Sequence, residues 1–470
     1  MSIGTLKNIL ILSLSLLSIH LSGRLWFEDI SGRNFFYFFD TANPNRVITA
    51  QVREDARQTL FFRTIVGLGN DTFHVNYTRN SAESNLINTI IHAALHEGTH
   101  VNSQPVDWIA LLSGRTLIYE YRVAIPADTI LAMHYDGSNQ SFVNRVNYID
   151  MIIAVPSSRT GGIVQVYFIN TSDNMSHQYT FSSQAITASI GNLIDDLRFN
   201  DQSLFYISSA QNGFNIFGSN LFIPQWINNT YAFNTISFSS PFGSNPSIAD
   251  IEPIINRFFE NPSLRATPYS REYTDELGVT HVKEHIFSSD TTVIKLYPNF
   301  ILEYSNFRRS SRVHQSFTEA YAHAMNFLSR DETLLNDIFL VHYESIDSGY
   351  TFFFDYIVNN FPILLPASFR ADTGLSHAIQ LTVQNNIVTS YRRFVAEFTV
   401  NPDIYLKASV TFWETIDTTL DAHFSPDCDT TGALIKNMVL GYRLADREDR
   451  VMALAWQVEI DNTLYMKMAQ

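Results

Sequence analysis

Lys7 and Asn8 lead into Ile9-Leu-Ile-Leu-Ser-Leu-Ser-Leu-Leu-Ser-Ile-His-Leu-Ser-Gly23, an apolar run interrupted by Arg24 before Leu25, Trp26 and Phe27. Read as one helix, Ile9 to Phe27 is about 19 residues and roughly 28 Å long, close to the hydrocarbon thickness of a bilayer. Arg24 can reach the headgroups while Trp26 lies at the interface. Removal as a signal peptide is disfavoured, because a cut after Ser22 places His20 at minus three and a cut after Gly23 places Leu21 there, where a small residue is wanted. A lipoprotein would need a cysteine after Leu21-Ser22-Gly23, and Arg24 stands there instead. Residues 1–28 are therefore expected to form a short cytoplasmic end and an uncleaved single-pass anchor in the cell membrane. The flanking charges, Lys7 on one side and Arg24 and Arg33 on the other, orient it weakly. The large C-terminal region is placed outside the cytoplasm because it follows an export-like segment.

Within that helix Ser15, Ser18 and Ser22 fall within about 60° of one another, a small-residue stripe of the kind that lets helices approach closely. It is a candidate partner-binding face in the membrane. The alternative is three serines bonded back to their own helix carbonyls.

The remainder is long enough for a sizeable core: the chain has 470 residues, 45 % hydrophobic, with 36 Phe and 22 Tyr. A net charge of −15 disfavours nucleic acid and anionic lipid surfaces as partners, which leaves protein contacts. Cys428 is the only cysteine, so there is neither an intrachain disulfide nor a thiolate metal cluster.

Hydrophobic periodicity predicts an α+β chain of mainly antiparallel sheets with packed helices. An N-terminal ectodomain is expected over 29–246, with strands at Phe35–Phe39, Arg115–Val123, Val146–Val155, Ile163–Asn170 and Gln178–Ser182, and helices at Ala82–His96, Trp108–Leu112 and Ser183–Leu197. The Gly/Pro/Ser-rich stretch Ser239–Ser247 marks a boundary. The middle domain, 247–335, opens with a helix over Ile251–Phe259 capped by Asp250 with Pro253 in its first turn, continues as a four-strand meander and closes with a helix over Val313–Ser329. The C-terminal domain, 336–470, has strands from Ile338 onward, a helix near Leu406–Leu420 and a final strand pair joined by Asp446–Asp449. The hairpins Ile294–Tyr304 and Ile379–Tyr391 look alike, which suggests that the last two domains share a topology.

His96-Glu97-Gly98-Thr99-His100 matches HExxH, which on a helix would set two imidazoles on one face beside a carboxylate able to activate zinc-bound water, with Glu120 as a nominal third ligand. Gly98 inside the motif and Val101-Asn-Ser-Gln-Pro105 after it predict instead that the helix ends here. Ser376 and His377 are adjacent, a spacing that points neighbouring strand side chains apart, so no Ser/His/Asp triad is assigned. Cys428 lies between Asp427 and Asp429, which raises its pKa and weakens it as a nucleophile. Arg308-Arg309 and Arg392-Arg393 read as solvated faces or local ion pairs. No catalytic, cofactor or metal residue is assigned.

Gly23-Arg-Leu-Trp-Phe-Glu-Asp29 after a short anchor, Tyr350-Thr-Phe-Phe-Phe-Asp-Tyr-Ile-Val-Asn-Asn-Phe-Pro-Ile363 followed by His377-Ala-Ile-Gln-Leu-Thr-Val383, and the ending from Val439-Leu-Gly-Tyr442 to Leu454-Ala-Trp456 resemble the YycH (WalH) regulatory proteins of Gram-positive bacteria. The resemblance spans the chain in layout and rests on short, diffuse patterns. It implies a non-enzymatic, membrane-anchored regulator that acts with a YycI-like single-pass protein on a WalK (YycG) sensor histidine kinase governing cell-wall metabolism, through transmembrane-helix and ectodomain contacts. Two other readings are an exported zinc-dependent hydrolase using His96, Glu97 and His100, and a passive envelope-binding protein.

Overall fold

The computed structural model describes residues 48–469, except for 158–161, 199–204, 226–231, 309–314, 408–411, 424–433, 446–450 and scattered single residues or pairs. The expected anchor with Ser15, Ser18 and Ser22, the strand at Phe35–Phe39, Arg309, Cys428 and the Asp446–Asp449 tip lie outside the described residues. Among the described residues no helix is long and apolar enough to cross a membrane.

The first described elements are helix α1 (Ala50–Leu60) and strands β1 (Phe61–Leu68) and β2 (Phe73–Asn76), followed by α2 (Ala82–Glu97), β3 (Thr99–Pro105), β4 (Arg115–Pro126), α3 (Ala127–His134), β5 (Tyr148–Pro156), β6 (Ile163–Asn170), β7 (Met175–Ser182), α4 (Gln184–Arg198), β8 (Phe205–Ser208) and β9 (Phe222–Gln225). Their strands form one antiparallel sheet in the order β3-β7-β6-β5-β4-β1-β2-β8-β9. β1 is buried along its whole length although it carries Arg63 and Thr64, and β3, at the edge, is largely exposed, in keeping with its polar sequence. α2 starts where Ser81 accepts from the Ser84 amide, and buries Ile87, Ile90, Ile91, Ala94 and Leu95 at helical spacing. The expected helices at Ala82, Trp108 and Ser183 are all present to within a residue or two.

β10 (Ala232–Ser239) leaves this sheet and pairs with a strand from the far end of the chain, β20 (Glu397–Lys407). Between them come α5 (Ile248–Ile255), the meander β11 (Tyr269–Thr274), β12 (Thr280–Ser288), β13 (Thr292–Leu296) and β14 (Ile301–Asn306), and α6 (Phe317–Leu328). Then follow β15 (Ile338–Ile346), β16 (Gly349–Val358), β17 (Phe361–Leu364), α7 (Ala367–Thr373), β18 (Ile379–Gln384) and β19 (Ile387–Phe394), and after β20 come α8 (Phe412–His423), β21 (Ile435–Arg443), β22 (Ala453–Ile460) and β23 (Thr463–Met468).

The second large sheet runs β11-β12-β13-β14-β19-β18-β16-β17-β21-β22-β23, with β15 also on β16. Two four-strand meanders, β11 to β14 and β15-β16-β18-β19, therefore meet at β14 and β19, where Tyr304 faces Tyr391. The two hairpins that look alike in sequence are neighbours in space. The segments expected as middle and C-terminal domains thus share one sheet, and the pair β10–β20 ties the N-terminal segment to it.

Three helix expectations are corrected. The helix expected over Val313–Ser329 starts only at Phe317 as α6, because Ser316 and Glu319 form its capping box. α5 starts at Ile248, because Ser247 and Asp250 form a capping box in which Ser247 is the cap and Asp250 the third helical residue. Pro253 consequently falls in the second turn. Residues up to Lys407 belong to β20, held by Leu406 opposite Phe233 and Tyr405 opposite Asn234, and α8 begins only at Phe412.

Gly349 opens β16 against β18, and a Cβ there would stand 1.9 Å from the Val383 carbonyl oxygen. Backbone cannot yield as a side chain does. Gly349→Ala is expected to lower stability by about 1–3 kcal/mol in urea unfolding.

Candidate functional site

The HExxH stretch does not assemble a metal centre. α2 ends at Glu97 with Gly98 extended as its cap, so His96 and Glu97 stay on the helix while His100 lies in the strand that follows, β3. His96 stacks on His92 at 6.0 Å and lies against Tyr135, whereas His100 Nε2 shares Ser103 Oγ (3.1 Å) with His177 Nδ1 (2.8 Å). Partial burial and Arg145 hold His100 below the ordinary histidine pKa. Glu120, the nominal third ligand, is engaged elsewhere: it accepts from Arg63 Nε at 2.7 Å and Nη2 at 3.2 Å. Burial opposes the Arg63 charge, but Glu120 and Tyr77 outweigh it and raise its pKa. Among the described residues no three His, Cys, Asp or Glu side chains converge as a metal site.

The arginine pairs separate. Arg308 reaches Glu260 at 3.3 Å on the surface, and Arg392 donates to the Thr373 and Gly374 carbonyls. Arg393 is instead buried and paired with Asp331, 62 residues away, at 2.6 Å.

One concave site with polar groups in its lining is a cleft of about 280 Å³ where β1 and β4 face β15, β16, β17 and β21 to β23. Its lining is mixed: Phe62, Phe339, Val341, Leu364 and Val439 supply the apolar part, and charged and polar groups supply the rest. Phe62 stacks on Phe339 at 5.2 Å and meets Tyr77 edge-on at 5.3 Å, so one aromatic cluster joins the two sheets. Two guanidinium groups also face the Phe62 ring, Arg63 at 5.3 Å and Arg122 at 5.5 Å. Arg122 lines the cleft together with Gln457 and Glu459 from β22, and burial lowers its pKa although Glu459 and Glu120 favour its charge. Across the cleft, His377 Nδ1 bonds Asp355 Oδ2 at 3.0 Å, and the Ala378 amide bonds Asp355 Oδ1 at 2.9 Å. Arg370 donates Nη2 to the Leu365 carbonyl at 3.2 Å, while its Nε is enclosed without an acceptor. Ser376 lines the same cleft as His377, but His377 bonds Asp355. These residues come from strands up to four hundred positions apart, and no spacing in the sequence announces them.

Two mainly antiparallel sheets joined through an aromatic seam, with helices packed on them, define an α+β fold. The fold is similar to that of YycH from Bacillus subtilis, with a TM-score of 0.54 at 13% sequence identity over 87% of this chain and 96% of that one. An uncharacterized protein from Eubacterium rectale overlaps with a TM-score of 0.33 at 11% identity, over 55% of this chain and 87% of that one. The C-terminal domain of YpeB from Bacillus megaterium overlaps with a TM-score of 0.27 at 11% identity, over 48% and 93%. No family model and no curated protein matches the sequence.

Proposed function

We propose that the chain is a membrane-anchored, extracytoplasmic regulator of a WalK-type sensor histidine kinase, working beside a YycI-like single-pass protein. The observation that supports this reading is the YycH-like fold over 87% of the chain, following a leading run long enough to span a bilayer. Regulation through helix packing in the membrane suits that arrangement: Ser15, Ser18 and Ser22 give the helix a face of small side chains on which a kinase helix can pack closely.

Leucine at all three positions adds bulk to that face without shortening the apolar span. A membrane two-hybrid signal with the kinase is expected to fall several-fold in the triple Ser15→Leu, Ser18→Leu, Ser22→Leu variant, at unchanged expression. An undiminished signal removes the stripe from the mechanism.

A further inference from the structure

Two arginines, Arg122 and Arg370, and two carboxylates, Asp355 and Glu459, line the cleft, yet among the described residues neither arginine has an ion pair within 4.0 Å. Asp355 is committed to His377 and to the Ala378 amide through both oxygens. Among the described residues nothing accepts a hydrogen bond from Arg122, whose described contact is the face of Phe62 at 5.5 Å, and Glu459 biases its charge without an ion pair within 4.0 Å. Arg370 has one carbonyl partner and an enclosed Nε with none. Holding two guanidinium groups half out of water opposite a single uncommitted carboxylate is costly in isolation, and an incoming anion would offset that cost.

Charge alone would suit any anion, but the walls are not all polar. Phe62, Phe339 and Leu364, themselves almost fully buried, back part of the same space, so a ligand there can set an apolar body beside its charge. A planar carboxylate matches the guanidinium fork, and about 280 Å³ admits only a small molecule. The geometry points to a binding site for a small organic carboxylate with an aryl or short alkyl body, its charged end toward Arg122 and Arg370 and its body on Phe62, Phe339 and Leu364.

The test is calorimetric titration of the full-length chain in lipid nanodiscs with 3-phenylpropionate, against 3-phenylpropanol, which lacks the charge, and inorganic phosphate, which lacks the body. The acid is expected to bind saturably at one site, with both controls weaker by about ten-fold or more. Arg122→Gln and Arg370→Gln are each expected to weaken the acid by a similar factor. Should Arg122→Gln fail to fold, Arg370→Gln on the short helix α7 decides by itself. The assignment is overturned by absence of saturable binding, by equal binding of the alcohol or of phosphate, or by full affinity in the arginine variants. The readout is binding alone, so its outcome is independent of any effect on a kinase.

Discussion

Replacing Arg393 with methionine is expected to destabilise the fold by about 3–5 kcal/mol in urea unfolding, far more than an exposed arginine would cost. Arg393 lies on β19 and is buried, with Nη1 2.6 Å from Asp331 Oδ2 and Nε 3.0 Å from the Tyr356 hydroxyl, which in turn donates to the Phe394 carbonyl at 2.7 Å. Asp331 stands just past α6, so this one guanidinium ties the helix following the first meander to two strands of the second. Methionine restores most of the volume but leaves the Asp331 carboxylate with the more exposed Arg257 guanidinium at 3.9 Å. The loss therefore comes chiefly from a buried charge deprived of its close partner rather than from a cavity. Adding Asp331→Leu to Arg393→Met should recover a large part of the stability, because removing both charges also removes their desolvation cost. A double-mutant cycle separates the explanations. Strictly additive losses would mean that packing, not the ion pair, holds the two meanders together.

The sequence shows regular half-buried elements well and shows this junction poorly, and the reason is physical. β13 and β18 alternate buried and half-buried residues, and α2 and α4 repeat apolar residues at helical spacing, so their patterns reflect a single environment on each face. α1 escapes notice because its sequence, AQVREDARQTL, is mostly polar. It is held by contacts no local pattern reveals, such as the Thr59 hydroxyl 2.8 Å from Tyr321 on α6. β1 is obscured by Arg63 in the middle of an apolar run, and β20 by its bulged pairing with β10 far upstream.

The same logic applies to the cleft. Arg63 and Arg122 each interrupt an otherwise apolar or aromatic strand, and a cation in such a place is a usable signal that the strand faces either a buried carboxylate or a cavity. Here one is of each kind: Arg63 finds Glu120, and Arg122 faces the cleft. Which is which depends on strand order, and strand order is not written in periodicity. The end of α2 at Gly98 was by contrast readable, since glycine followed by a polar, proline-bounded stretch disfavours continuing the helix through His100.

The protein is expected to lose stability as the pH falls from about 6.5 toward 4, with His134 a principal cause. This residue closes α3 in the core, its Nε2 3.5 Å from the Tyr121 hydroxyl and its Nδ1 enclosed without a partner. Burial, reinforced by the nearby charges of Arg57 and His92, lowers its pKa to about 3. In the unfolded chain the imidazole takes up a proton near its ordinary pKa, but in the folded chain it stays neutral until the pH is much lower. The unfolded state therefore binds more protons throughout this window, and the stability present above the unfolded pKa drains away as the pH drops, by roughly 2 kcal/mol at pH 5. Asp150 works in the opposite direction: burial raises its pKa to about 6 despite its bonds to Thr171, so it favours the folded state at the acid end. The net pH profile mixes both groups, whereas the difference between parent and variant isolates one. His134→Leu keeps an apolar side chain of similar bulk and leaves the Tyr121 hydroxyl without its long contact, a loss of about 1 kcal/mol at pH 7. At pH 5 the variant should match or exceed the parent, so their urea unfolding curves are expected to cross between the two pH values. Parallel curves would mean that His134 is already protonated in the folded protein, which would require an anionic partner or water beside Nδ1.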